Sequence, residues 1–242
     1  MFSLKEMMKK REFQTLCNWA DKFYILEEYF PREVNSLYAI TKLDLSGCQI
    51  TKIPKEIKNL SNLTYLNLCD NGLRKFPKEI LCLANLQELY LDENKIEKIP
   101  QQIQNLTHLK ELYLHGNQIK EFPKEVCSLS QISKLFIDDN QIKTIPWEIG
   151  TMKNLKVLYL DDNEIKELPS EIGGLNNLLE LSVSHNQIEI LPSTLGNLTE
   201  LVKLNLSDNK IKIFSQCIAN LTNLDWINVE GNPMKRLVHQ TT

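Results

Sequence analysis

The chain has 242 residues, of which 42% are hydrophobic and 24% charged, and its formal net charge is only −3. This composition is ordinary for a globular protein with a sizeable core and argues against disorder. Because no overall basic field is present to hold phosphate groups, we expect no nucleic-acid partner.

The N-terminal segment is basic, with Lys5, Lys9, Lys10 and Arg11 close together. Neither an apolar core nor a small-residue cleavage site follows, so the segment does not match a secretory signal. No apolar stretch approaches the roughly 20 residues that cross a bilayer. We therefore expect neither a signal peptide nor a transmembrane segment. This leaves the localisation unassigned, favours the cytoplasm and keeps non-classical secretion as an alternative.

Residues 3–29 are predicted to be helical, because apolar side chains recur there at helical spacing. These side chains are Phe13, Leu16, Trp19, Phe23 and Leu26. Residues 30–39 repeat the second half of the unit described next, so residues 1–39 are interpreted as a helical cap plus a degenerate half-repeat. The helix is expected to cover the open end of the core. The alternative is that it docks on a membrane surface or a partner.

From residue 40 onward a unit of the form LxxLxLxxNxIxxIPxEIxxLxx recurs every 23 residues without insertion or deletion. Its positions are numbered 1 to 23 from the residues that open each repeat: Ile40, Leu63, Leu86, Leu109, Ile132, Leu155, Leu178, Leu201 and Leu224. Such self-similarity is typical of a solenoid, in which one coil cannot bury its apolar face alone. Nine repeats, the last one partial, are assigned to residues 40–232, and a short C-terminal tail to 233–242.

Each repeat contains a strand signal followed by a helix signal. Side chains alternate between apolar and polar at positions 3 to 7, which predicts a short strand. Position 9 is Asn in eight repeats, and its amide can donate and accept hydrogen bonds where the coil turns, whereas Cys48 is a weaker substitute in the first repeat. Position 15 is usually Pro, often with Glu two residues later, which marks the first residue of a helix.

The LxxLxLxxN pattern followed by IPxEI at a fixed 23-residue period resembles the bacterial leucine-rich-repeat proteins, particularly the 23-residue subfamily found in pathogenic leptospires. The resemblance covers residues 40–232. It implies an α/β horseshoe solenoid with a parallel concave sheet, short 3-10 or α turns on the convex side and an N-terminal helical cap. It also implies a variable concave binding face that contacts host or bacterial proteins, as in a virulence factor.

Aromatic side chains are concentrated on the predicted concave face. Four consecutive repeats carry one at position 5, and the preceding repeat carries one at position 3. These residues are Tyr65, Tyr90, Tyr113, Phe136 and Tyr159. Large rigid rings are favoured anchors in protein interfaces, so we expect them to bind a partner. The alternative is that neighbouring rings stack mainly to stabilise the sheet.

Positions 7 and 8 form an acidic stripe beside these rings. The stripe consists of Asp92, Glu93, His115, Asp138, Asp139, Asp161 and Asp162. Adjacent carboxylates repel one another, which predicts a protein or peptide partner with a basic patch. A solvated acidic edge is the alternative. A cation held by Asp92, His115, Asp138 and Asp161 is a further alternative, although no metal or cofactor is assigned.

No catalytic motif occurs, and Cys69 lies two coils away from His115, too far for a Cys/His nucleophile. Six widely spaced cysteines predict free thiols in a reducing compartment. We therefore predict a monomeric, non-enzymatic module that binds a protein or peptide on its concave face, with host interaction as one setting. The alternative is an intracellular adaptor that presents a signalling enzyme to its target.

Overall fold

The computed structural model describes residues 4–213 and 216–234. It forms two compact units, Met1–Ile119 and Lys120–Thr242. The predicted tail at 233–242 is described only as far as Met234, and its remainder lies outside the described residues. Over the described ranges, no helix is both long enough and apolar enough to cross a membrane.

The first unit begins with two α-helices, α1 (Leu4–Lys22) and α2 (Val34–Ala39). Four parallel strands follow in sequence order: β1 (Lys42–Asp44), β2 (Tyr65–Asn67), β3 (Glu88–Tyr90) and β4 (Glu111–Tyr113). Between them the chain returns through 3-10 helices at Lys55–Asn59, Lys78–Cys82 and Gln101–Asn105. Paired residues are 23 apart, as in Lys42 and Tyr65, so the sequence period sets the register of the sheet.

The second unit repeats this plan with five parallel strands in sequence order: β5 (Lys134–Phe136), β6 (Val157–Tyr159), β7 (Glu180–Ser182), β8 (Lys203–Asn205) and β9 (Trp226–Asn228). Its 3-10 helices are Lys124–Ser128, Trp147–Thr151, Ser170–Gly174, Ser193–Asn197 and Gln216–Asn220. Parallel strands that alternate with 3-10 turns at one fixed period confirm the expected leucine-rich-repeat solenoid.

The strands occupy positions 3 to 5, two residues fewer than the alternation predicted. Leucines at positions 4 and 6, such as Leu112 and Leu114, are fully buried. Pro100 is the N-cap of its 3-10 helix rather than the first helical residue, with ψ at 150°. Its carbonyl accepts a 3.0 Å hydrogen bond from the Ile103 N–H. A proline suits this position because its φ is already fixed near the required value.

The N-terminal helix ends at Lys22, seven residues before the predicted end at residue 29. Tyr24 adopts a left-handed backbone with φ at 54°. The Ile25 N–H then bonds to the Ala20 carbonyl at 3.0 Å, and the Tyr24 N–H bonds to Asp21 at 3.1 Å. This is a Schellman motif, which ends a helix. Leu26 therefore lies outside the helix and is exposed, in contrast to its predicted place on the capping face.

Helix α1 packs on the first 3-10 helix and covers that end of the core. Leu16 and Ala20 are fully buried. The indole N–H of Trp19 donates to the Lys52 carbonyl at 3.0 Å, and its ring meets the buried ring of Phe30 edge to face. These contacts support the capping interpretation of the helix.

The asparagines at position 9 form the predicted ladder. In Asn163, Oδ1 accepts the N–H of Ile142 in the preceding coil at 2.9 Å. Its Nδ2 donates to the carbonyls of Ile137, Leu160 and Asp161 at 3.0 to 3.2 Å. In the first repeat the Cys48 thiol makes a single 3.4 Å contact with the Ser46 carbonyl, so it is the weaker substitute that the sequence indicated.

Candidate functional site

In the first unit, three tyrosines form a continuous aromatic cluster on the open face of the sheet, the face that carries positions 3, 5 and 7. The rings of Tyr65 and Tyr90 are 5.2 Å apart and tilted. Those of Tyr90 and Tyr113 are stacked at 4.2 Å with planes 12° apart. All three are half-buried, so their remaining ring surface faces solvent rather than the interior.

Glutamates on the same strands hold these rings in place. The Tyr113 hydroxyl donates to Glu111 Oε2 at 2.8 Å, and the Tyr90 hydroxyl donates to Glu88 Oε2 at 3.2 Å. Burial raises the pKa of Tyr90 to about 12 and, together with the Glu111 hydrogen bond, raises the pKa of Tyr113 as well. Both hydroxyls therefore remain protonated donors at neutral pH.

The second unit carries its own aromatic pair on the open face. The rings of Phe136 and Tyr159 meet edge to face at 4.9 Å. The Tyr159 hydroxyl donates to Glu180 Oε2 at 2.9 Å, and Lys203 Nζ binds the other oxygen of Glu180 at 3.0 Å. Burial acts to raise the pKa of Glu180, but these two hydrogen bonds outweigh it and lower the pKa below its usual value.

Position 3 glutamates were assigned no supporting role from sequence alone. A usable signal was present, because Glu two residues before Tyr in a strand places both side chains on one face. Glu88 and Glu111 follow this pattern. Glu180 does not, since it reaches Tyr159 from the neighbouring strand.

Two of the acids at position 7, Asp92 and Asp161, are hydrogen-bonded within the fold. Asp92 accepts the backbone N–H of His115 at 2.9 Å and the thiol of Cys69 at 3.1 Å. Asp161 accepts the Ser184 N–H at 2.6 Å and the hydroxyls of Ser182 and Ser184 at 2.5 Å. These hydrogen bonds therefore connect neighbouring coils. Asp138, at the same position, is half-buried.

Position 8 has a backbone requirement that the sequence interpretation missed. Every residue there adopts a left-handed conformation, with φ between 48° and 71°: Gly47, Asp70, Glu93, Gly116, Asp139, Asp162, His185, Asp208 and Gly231. Glycine, aspartate and histidine tolerate this region best. The recurrence of aspartate is thus explained partly by geometry, and the alternation of Gly with Asp was the available signal. The side chains of Glu93, Asp139 and Asp162 are nevertheless exposed.

The described residues contain no group of three or more His, Cys, Asp or Glu side chains placed to hold a metal ion. His115 instead pairs with Glu93, with 3.1 Å between Nε2 and Oε1. The suggested cation therefore has no support from the arrangement of these side chains.

All six cysteines are free. Burial raises the pKa of Cys69 to about 12, and its charged neighbour Asp92 acts in the same direction. Since the thiolate is the reactive form, Cys69 is a poor nucleophile at neutral pH. The one Cys/His combination that the sequence offered is therefore unsuited to covalent catalysis.

A family model described as a leucine-rich repeat region matches residues 7–137, 83–160 and 143–240. No curated protein matches the chain in sequence. Among solved structures, the chain is similar to an internalin, InlF, of Listeria monocytogenes, with 27% identity and a TM-score of 0.74. That match covers 82% of this chain and 57% of the internalin.

Two further structures extend the comparison. The plant peptide hormone receptor RGFR1, solved in complex with RGF2, is 29% identical with a TM-score of 0.73, and the match covers 85% of this chain but 34% of the receptor. A leucine-rich-repeat protein of Leptospira interrogans is 27% identical with a TM-score of 0.51, and the match covers 85% and 70% of the two chains. The chain therefore spans about a third of the receptor and just over half of the internalin.

Proposed function

Because the chain belongs to the leucine-rich-repeat family, we propose that it is a non-enzymatic recognition module that binds a protein or peptide on the open face of its sheet. The observation that carries this proposal is the stacked pair of Tyr90 and Tyr113. Rings already fixed by stacking and by hydrogen bonds lose little conformational freedom on binding, which is a property of good interface anchors.

The proposed contact surface combines the aromatic residues with the acidic stripe. The first unit contributes Tyr65, Tyr90, Tyr113, Asp92, Glu93 and His115, and the second unit contributes Phe136, Tyr159, Asp138, Asp139, Asp161 and Asp162. Within it, the exposed carboxylates of Glu93, Asp139 and Asp162 supply the charge that steers a basic patch of the partner. Asp92 and Asp161 contribute indirectly, because their hydrogen bonds connect the coils that carry the contact surface.

Capture of a partner from a lysate tests the proposal through two double variants. Tyr90→Ala/Tyr113→Ala removes rings from the first unit, and Phe136→Ala/Tyr159→Ala removes rings from the second. Tyr24→Ala/Tyr29→Ala is the matched control, since both tyrosines are exposed in the cap region away from the sheet. We expect the control to retain the partner and at least one open-face variant to lose it. Equal recovery by all variants would contradict the proposal.

Similarity to proteins of Listeria and Leptospira supports a bacterial setting and contact with a host or bacterial protein. We also propose that the chain is a monomer of the 23-residue subfamily. Proteolysis of intact cells tests the proposed contact with a host or bacterial protein, because a protein exposed on the cell surface is cleaved without lysis. Analytical ultracentrifugation of the purified chain tests the oligomeric state, and a monomer sediments with the mass of one chain.

An intracellular adaptor is the second candidate, and the free cysteines favour it. Cys17, Cys127 and Cys217 are buried thiols, as is common in a reducing compartment. In the proteolysis experiment, an adaptor stays intact until the cells are lysed. Co-purification with a signalling enzyme and its target would then support the adaptor over a protein that contacts a host.

A further inference from the structure

Away from the open sheet face, the first unit contains two neighbouring cavities where its coils turn toward the 3-10 helices. Their volumes are about 420 and about 530 Å³. Both are lined by Arg74, Lys75, Phe76 and Lys78, so they form one groove across consecutive coils. Cavities of this size accommodate a small ligand or a side chain of a peptide.

The floor of the groove is apolar. Leu73 and Phe76 are nearly fully buried and contribute to it. Gly72 also lines the first cavity, whereas Lys95 and Gln118 occupy the equivalent position in the next two repeats. An apolar floor of this kind suits a ligand that inserts an apolar group.

The rim of the groove is cationic, although the chain as a whole carries a net charge of −3. Five basic side chains line the two cavities, against the carboxylates of Glu79 and Glu97: Lys52, Arg74, Lys75, Lys78 and Lys98. Within the described part of the chain, Arg74, Lys75 and Lys78 make no ion pair.

Among the described lysines at the equivalent position of the second unit, two are paired with carboxylates, whereas Lys120 and Lys166 are not. Arg74 occupies position 12, where Lys143 pairs with Glu164 at 3.6 Å and Lys212 pairs with Glu189 at 3.1 Å. Arg74 has no such pair among the described residues. Its guanidinium therefore remains available for a carboxylate, which it can bind through two parallel hydrogen bonds.

We propose that this groove binds an acidic peptide segment that carries an apolar side chain. The apolar side chain occupies the cavity above Phe76, and the flanking carboxylates bind Arg74, Lys75 and Lys78. The two cavities lie side by side along the stacking direction, so an extended peptide reaches both. This partner differs in charge from the one proposed for the open sheet face, which is basic.

The test uses a fluorescein-labelled peptide, Glu-Glu-Asp-Leu-Glu-Glu, in polarisation titrations with the full chain. Two further peptides replace its Leu by Ala or its acids by Lys. We expect saturable binding of the first peptide, weakening with added salt, a loss of about tenfold for the Ala peptide and no binding of the Lys peptide.

Arg74→Glu/Lys75→Glu is expected to weaken binding of the acidic peptide by at least about tenfold. Lys124→Glu/Lys156→Glu makes the same change of charge at exposed lysines of the second unit and is expected to leave binding intact. Circular dichroism of each variant verifies folding.

Absence of saturable binding by the native chain, or equal binding by Arg74→Glu/Lys75→Glu, would overturn the proposal. Self-association that this variant abolishes, without binding of the peptide, would assign the groove to a second copy and would also overturn it. Tyr90→Ala/Tyr113→Ala should bind the peptide as the native chain does. Failure of this proposal is therefore distinguishable from failure of the open-face proposal.

Discussion

The ring of Tyr90 stacks on the ring of Tyr113 with 4.2 Å between centroids, and each hydroxyl donates to a glutamate of its own strand. This contact joins neighbouring strands and fixes a flat aromatic surface on the open face of the sheet. The sequence left two interpretations of these rings open, as anchors for a partner and as stacked residues that stabilise the sheet. The two are compatible, and the contribution of the rings to the free energy of unfolding shows how far the second applies.

Tyr90→Ala/Tyr113→Ala should lower the free energy of unfolding by only about 1–3 kcal/mol, because half-exposed rings contribute one stacking contact and limited burial. Chemical denaturation measures this difference. A loss above about 5 kcal/mol would show that the rings act as core residues. Loss of capture would then report unfolding instead of recognition.

Asn163→Ala should be more damaging than its small change in volume suggests. It leaves the Ile142 N–H without an acceptor, while the carbonyls of Ile137, Leu160 and Asp161 each lose one of their two donors. Since one buried N–H left unsatisfied costs about 1–3 kcal/mol, and the three weakened carbonyls add to this cost, we expect a loss of about 2–4 kcal/mol in denaturation. The exposed Asn154, which donates to the Ser130 carbonyl, is the matched control. A similar loss for Asn154→Ala would contradict the assigned role of burial.

Asp92→Asn should change the pH dependence of stability. Burial raises the pKa of Asp92, so the folded chain holds this proton more tightly than the unfolded chain. The contribution of Asp92 to stability is therefore full below the ordinary aspartate pKa and declines as the pH rises through the folded pKa. Relative to the native chain, Asp92→Asn should gain stability across this window in urea titrations.

Glu180→Gln provides a control of opposite sign. The folded pKa of Glu180 is lowered, so its contribution is present above the ordinary glutamate pKa and is lost as the pH falls through the folded value. The variant should be less stable than the native chain at neutral pH, and the two should converge in acid. The same sign of change for both variants would refute the electrostatic assignment.

Glu93→Gly should raise the free energy of unfolding by about 0.5–1 kcal/mol, because glycine adopts the left-handed backbone at this position without steric strain. Glu97→Gly is the matched control at an exposed position outside the left-handed region, where glycine should destabilise. Thermal unfolding of both variants measures the effect. If Glu93→Gly is destabilising by as much as the control, geometry does not explain the acidic stripe.

The solenoid could be predicted because the 23-residue repeat runs through the sequence without insertion or deletion. Strand register and the ladder at Asn163 follow directly from that period. The end of α1 could not be predicted, since the left-handed residue that stops it is Tyr24 rather than glycine. Helical spacing alone therefore extended the helix as far as Leu26.

The residues of the candidate site could be predicted from their types and positions, but the hydrogen-bond partners and exposure of each side chain could not. Asp92 and Asp161 were grouped with the exposed acids because a pattern of charges carries no information about their donors. Their hydrogen bonds come from Cys69, His115, Ser182 and Ser184, which lie 21 or 23 residues away in neighbouring coils. Only the stacked coils bring these donors together.

Hydroxyl-radical footprinting of the chain, alone and with its captured partner, tests the central claim most directly. Mass spectrometry then measures oxidation at Tyr90, Tyr113 and Tyr159, with Tyr24 as an exposed reference. We predict that the partner protects the tyrosines of the open sheet face and leaves Tyr24 as reactive as before. Unchanged oxidation at Tyr90, Tyr113 and Tyr159, with protection elsewhere, would contradict the assignment of this face to partner binding.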